Sequence, residues 1–269
     1  MSLYARLDWL FLTRDPGTFL MWSVSDIVLN IASVTGMFLI SVRFSGVGVW
    51  SQPEFVFMLG YGAIVEGLVN LFFGYNVSFI SRRLGRGQLD HTLIQPQPLW
   101  VSLLTEGFSP AYGLPTLVPG GILLGWGLNR MYLHPGAGWF GLLVLNFVAS
   151  VTIVMSFQFS WGSLAFWAPR AAEEINSSTN QMLAGLKSYP LNGLAPAVRI
   201  GLLTALPVGF VAWAPAGALI HVHGHGPGVW TTVLAAVFFA VPALLIFHIG
   251  LRHYESRGAQ RYSDFGHRR

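Results

Sequence analysis

The chain has 269 residues, 53% hydrophobic and only 10% charged, with a formal net charge of +4 and no cysteine. A soluble domain carries about 25% charged residues, so several uninterrupted apolar runs must face lipid here, and the chain reads as an all-α polytopic membrane protein. The missing cysteine excludes disulfides and thiolate chemistry, and basic residues gathered at the ends of apolar runs, with no basic soluble face, exclude nucleic acid as a partner.

Residues 1–16 set Leu3, Leu7, Leu10 and Phe11 among Arg6, Asp8 and Arg14 at roughly helical spacing. This predicts an amphipathic helix lying in the membrane interface, stopped by Asp15-Pro16-Gly17. The stretch lacks the basic start, apolar centre and small-residue site of a cleavable signal.

Crossing a bilayer takes about 20 mostly apolar residues, and six runs qualify within a transmembrane domain spanning 17–252. The first is Thr18–Val42 and the second Phe55–Val77. The third, Leu99–Leu128, is expected to be broken by Pro110, Pro115 and Pro119. The fourth is Trp139–Trp167, the fifth Ala197–Ile220 with Pro207 and Pro215, and the sixth Val229–Leu251. A break at membrane depth survives only where protein or water covers the freed carbonyls. The fifth run is therefore expected to enter partway, bend, and return along the outer surface as a re-entrant segment before the last span.

Of the fifteen Lys and Arg residues, only Arg43 and Arg130 fall outside the first helix, the links 81–98 and 169–195 with Arg199 beside it, and the tail 253–269 with Arg252 beside it. The positive-inside rule makes that richer side cytoplasmic, with both termini on it. The loop SRRLGRGQLDHTLIQPQP at 81–98 is then cytoplasmic, a basic turn followed by a short helix that Pro96 and Pro98 end. On this reading alone Arg82, Arg83 and Arg86 serve equally as anchors or as contacts for a partner.

No G-x-x-x-x-G-K-[ST] phosphate loop is present; the nearest string, AGLKS at 184–188, lacks the first glycine and the spacing. Nor is there an H-E-x-x-H or a G-x-S-x-G, so nothing in the chain supports an enzyme working alone. Asp26, Glu66 and Glu106 lie inside apolar runs, with Asn30 and Asn70 one turn from the first two. Intramembrane carboxylates are costly and face the bundle interior. They either join spans by interhelical hydrogen bonds or line a substrate or proton path. His221, His223 and His225 stand at alternate positions in IHVHGHGPG. That spacing suits a metal, but the intervening glycines and the lack of a nearby carboxylate suit an exposed outer loop better, and no metal site is assigned.

Several motifs in order resemble ABC type-2 exporter permeases, and more narrowly a bacterial branch of two-gene transport-system permeases. They are the basic turn followed by Gly87, Leu89, Asp90, Leu93 and Gln95-Pro96; Phe166, Trp167, Arg170 and Ala171; Tyr189–Leu191; Arg199 followed by LLTALPVGF; and the closing GLRHYES-x-G. The histidine-rich outer loop departs from that branch. The resemblance implies six spans, the interfacial N-terminal helix, and a re-entrant segment before the last span. It also implies that 81–95 is a coupling helix docking on a separate ATPase through Arg82, Arg83, Arg86, Gly87, Leu89, Asp90 and Leu93. ATP and Mg would then sit on that partner chain, with no cofactor on this one. A second permease, more readily a related chain than an identical one, would complete the path for a hydrophobic or amphiphilic substrate across the bacterial inner membrane. The other readings are a proton-coupled secondary transporter, which predicts inverted repeats not evident here, and a membrane anchor for a cytoplasmic complex.

Overall fold

The computed structural model describes residues 6, 10, 13–43, 46–74, 81, 94, 96, 99, 102, 107–133, 135–222 and 228–257. They are almost wholly helical, as an apolar chain must be where lipid offers the backbone no hydrogen bonds. Among the described residues three helices are long and apolar enough to cross a membrane, Gln52–Phe72, Ala137–Phe166 and Val229–Ser256, and a bent pair, Pro196–Thr204 with Pro207–Leu219, adds a broken span or a re-entrant loop.

The first helix, α1, is Pro16–Arg43. Asp15-Pro16, expected as the stop of the preceding helix, is also the start signal of this one. Pro16 occupies the first turn, where its missing N–H costs nothing, and the Asp15 carboxylate accepts the Thr18 N–H at 3.1 Å. Hydrogen bonds from Thr18 hold this exposed carboxyl below its ordinary pKa. A two-residue hairpin follows, β1 (Gly46–Val47) against β2 (Trp50–Ser51). Gly46 takes φ +143°, and a Cβ there would lie 2.2 Å from the Trp50 carbonyl oxygen. Glu54 then accepts the Ser51 N–H at 2.7 Å and opens α2, Gln52–Phe72.

The next helix, α3, is Pro110–Arg130. The run 99–128 is interrupted just before Pro110, which is the first helical residue, as expected; the expectation is corrected at Pro115 and Pro119, which the helix carries without a break. The larger part of 99–109 lies outside the described residues. Helices α2 and α3 run antiparallel at backbone contact because glycines meet at every second turn. A Cβ on Gly60 would lie 2.5 Å from the Leu124 nitrogen, one on Gly113 would lie 2.5 Å from the Leu71 Cβ, and one on Gly127 would lie 2.9 Å from the Pro53 carbonyl oxygen.

The fourth helix, α4, is Ala137–Ser163, followed by a short 3-10 turn at Leu164–Phe166. It runs parallel to α2. The Phe57 and Trp139 rings lie 6.3 Å apart near their starts, and one turn or more farther along Tyr61 stacks on Phe147 at 4.4 Å. The last helix, α8, is Val229–Arg257 and also runs parallel to α4, with Phe159 on Phe247 and Phe166 on Tyr254.

Two parallel neighbours require the chain between them to return. The return is made by α5, Pro169–Leu186. It starts at the far end, beside Phe166, and the chain after it reaches Asn192, whose side-chain oxygen accepts the indole N–H of Trp50 at the hairpin end (2.7 Å). At about 1.5 Å per residue an 18-residue helix covers about 27 Å, close to the roughly 30 Å hydrocarbon thickness. The two ends of 169–195 thus lie at opposite ends of the bundle.

From Asn192 the chain dips back through α6, Pro196–Thr204, and a 3-10 turn at Pro207–Phe210, then rises through α7, Trp213–Leu219. The two limbs meet at 70°. Ser150 donates to the Phe210 carbonyl at 2.8 Å, and Trp139 donates to the Leu219 carbonyl at 3.0 Å. The dip therefore bottoms level with the middle of α4 and ends level with its start. Pro207 stands at the bend, and within it the Phe210 carbonyl is covered by the Ser150 hydroxyl. With its hydroxyl hydrogen committed to Phe210, Ser150 accepts from the Tyr61 hydroxyl at 3.2 Å, so α2, α4 and the dip are joined through buried side chains.

The glycine contact makes a test. Gly60→Ala places a methyl group against the Leu124 backbone and should cost about 1–3 kcal/mol, the usual range for overpacking. Purified in detergent, that variant should unfold several degrees below wild type. Gly121→Ala, on the same contact's other helix but with open space around it, should leave Tm unchanged or raise it slightly. Equal behaviour of the two would mean that the glycines do not set the helix approach.

Candidate functional site

Between α2, α4 and α5 lies a cavity of about 510 Å³. Val65, Glu66, Val69 and Asn70 come from α2, Tyr112 from α3, Val154 and Gln158 from α4, and Val211 from the dip. From α5 and its end come Ser177, Asn180, Gln181, Leu183, Ala184 and Lys187. The reason is periodicity. Ala172, Asn176, Asn180, Leu183 and Lys187 recur every three or four residues on one stripe of α5, and most of that stripe is polar.

Glu66 and Lys187 form an ion pair across the cavity. Both are half-buried, Lys187 at 17% and Glu66 at 31% side-chain exposure. Asn180 donates weakly to Asn176 at 3.4 Å, and that donation points its own side-chain oxygen away, buried and without a partner. Chemically the cavity offers one carboxylate, one ammonium and several amides on walls of valine and leucine.

Of the residues singled out in the sequence, Glu66 and Asn70 come together here, one turn apart on α2. Asp26 and Asn30 lie on the α1 backbone, with side chains outside the described set, and Glu106 is also outside it. The coupling residues Arg82, Arg83, Arg86, Gly87, Leu89, Asp90 and Leu93 all lie outside the described residues; of that loop Ser81 is buried and Ile94 exposed. His221 is exposed with φ +55°, His223 and His225 lie outside the described residues, and no group of three or more metal-ligating side chains occurs among the described residues.

Three residues were not anticipated. Lys187, read as a loop cation, is the partner of Glu66, and the signal for it is that it is the sole lysine in a chain whose other basic residues are arginine. Gln158 stands at mid-depth on α4 in a run of phenylalanines and serines. Asn192 accepts both the Trp50 N–H at 2.7 Å and the Trp213 N–H at 2.6 Å, which ties the hairpin to the dip.

A family model described as ABC-2 family transporter protein matches residues 27–258. Neither curated proteins nor solved structures give a match to the chain.

The Asn192 bridge gives the second test. Asn192→Leu removes the acceptor of two indoles that are nearly fully buried, at a cost of about 1–3 kcal/mol for each N–H left unpaired. The variant should lose several degrees in Tm, and its tryptophan emission should shift to the red. Asn192→Asp keeps the oxygen and should stay near wild type. An unchanged Tm and spectrum in Asn192→Leu would show that the bridge does not hold the dip.

Proposed function

We infer the function from the family to which the chain belongs, the ABC-2 family of transporter proteins: it is the membrane subunit of an ABC transporter. The observation that carries this is the family match over 27–258. We propose further that it works as an exporter by alternating access, with ATP and Mg bound by a separate ATPase. The lack of a phosphate loop supports that division of labour. The loop 81–95 is the proposed contact with the ATPase, and a second, related permease completes the path for a hydrophobic or amphiphilic substrate.

The proposed topology has six crossings, by α1, α2, α3, α4, α5 and α8, with α6 and α7 forming the re-entrant dip. Compared with the sequence reading, the fifth crossing moves from 197–220 to α5. Lys187 then lies at membrane depth and Arg199 on the hairpin side. Arg6, Arg14, Arg82, Arg83, Arg86, Arg170 and the five arginines from 252 onwards remain on the other side, and this asymmetry favours both termini in the cytoplasm of a bacterial cell, beneath the inner membrane. A proton-coupled reading has less support, because Glu66 is already matched by Lys187.

In this cysteine-free chain, Gly193→Cys and Arg170→Cys test the topology. An impermeant thiol reagent applied to whole cells should label position 193 and spare 170. The reverse would invert the molecule, and equal labelling would remove α5 from the membrane. For the partner, a double Leu89→Ser, Leu93→Ser variant at matched expression should stay inserted and lose copurification of the ATPase together with ATP-driven transport. Full retention of both would reduce the loop to an anchor.

A further inference from the structure

The cavity carries a sharper statement about what it binds. We propose that Glu66 is the docking group for an organic cation, an ammonium on an apolar body, and that Lys187 is the built-in cation that the ligand displaces. It rests on the transport reading for its purpose, though the binding step itself needs no ATPase.

Four observations favour a cation over an anion. The Glu66 side chain is the more exposed of the two, at 31% against 17% for Lys187, so it is the more accessible partner of the pair. Glu66 stands inside α2, next to Gly67, one of the glycines that hold the helix against α3, while Lys187 caps the end of α5, where a side chain has room to swing. A displaced Lys187 has somewhere to go: the C-terminal end of a helix holds cations through its last carbonyls and its dipole. A displaced Glu66 has nowhere, since main-chain N–H groups around it are spent within the helix. An anion that captured Lys187 would leave that carboxylate unpaired at membrane depth.

The fourth observation is the Asn180 side-chain oxygen, a buried acceptor without a donor in the wall of the cavity. The oxygen itself is covered, so a ligand N–H meets it once the Asn180 side chain, which lines the cavity, turns towards the ligand; a carboxylate or sulfate has no use for it. The volume of about 510 Å³ falls in the usual range for small-molecule sites, roughly 300–1,000 Å³, with Val65, Val69, Val154 and Leu183 to cover an apolar body.

The test uses the full chain in phosphatidylcholine nanodiscs at pH 7. Three probes share one body and differ in head-group charge: 4-phenylbutylamine, 4-phenylbutanol and 4-phenylbutyrate. Binding is measured by calorimetry, with empty nanodiscs subtracted for partitioning. The amine should bind at least tenfold tighter than the alcohol or the acid. Glu66→Gln should bring the amine down to the level of the alcohol. Lys187→Met, which removes the competitor, should tighten amine binding severalfold, an effect that a merely structural ion pair would not give. A double Glu66→Gln, Lys187→Gln variant leaves no unpaired charge and should fold with no head-group preference. A wild-type preference for the acid or for none of the three would overturn the proposal, as would weaker amine binding by a Lys187→Met protein of wild-type Tm. Because no ATPase enters, such a failure leaves the transporter reading standing, and loss of the ATPase contact in the earlier test would leave this site untouched.

Discussion

The structure depends on one constraint: α2 and α3 touch backbone to backbone. In lipid there is no water to drive apolar helices together, so they associate through close packing and interhelical hydrogen bonds. Glycines at 60 and 67 on one helix, and at 113, 120 and 127 on the other, repeat every seven residues and bring the two axes closer than any side chain allows. Fixing α2 in this way frees its remaining faces for other work. One carries Tyr61 to Ser150, and through it to the bend at Phe210. Another carries Glu66 to the cavity.

A second constraint comes from direction. Helices α4 and α8 are parallel neighbours, so one more pass of the chain must lie between them in sequence. That pass is α5, and its composition is unlike that of a lipid-facing helix: Glu173, Glu174, Asn176, Ser177, Ser178, Thr179, Asn180 and Gln181 follow one another. Polar residues at membrane depth must meet protein or water. One stripe meets the cavity. The other side, with Glu174 and Ser178, is exposed in the single chain, and on the proposed topology this is what calls for a second permease.

The same argument explains what the sequence made legible. Apolar runs of full length, such as those of α2, α4 and α8, declare themselves because lipid selects for them. The bend within 197–220 was also readable, since Pro207 and Pro215 forbid a plain straight helix. The crossing proposed for α5 was not readable, because hydropathy measures contact with lipid and α5 turns a polar stripe to the cavity. Its stripe at 172, 176, 180, 183 and 187 was present but had no apolar contrast to mark it. Pro110 was legible as an interruption of the run 99–128, and it proves to be the start of α3, whereas Pro115 and Pro119 sit inside that helix. A proline removes a helical hydrogen bond only inside a helix; at the first turn it is a start, and the sequence does not say which until the preceding turn is known.

Half of the site was visible because a carboxylate in an apolar run stands out, whereas its partner lay in a segment taken for a loop. The identity of that partner is itself informative. At the ends of helices the chain uses arginine throughout, a planar group that stays charged and binds in two-pronged fashion. At the cavity it uses its sole lysine, a compact charge on a flexible stem that can let go of one partner and take another. A permanent clamp between α2 and α5 would be better made with arginine, which can grip both oxygens of a carboxylate. An ion pair at this depth has already paid much of its desolvation, so exchanging one cation for another on the same carboxylate changes little in total charge burial. Lysine at 187 keeps α2 and α5 together when the cavity is empty and leaves the contact exchangeable when it is not.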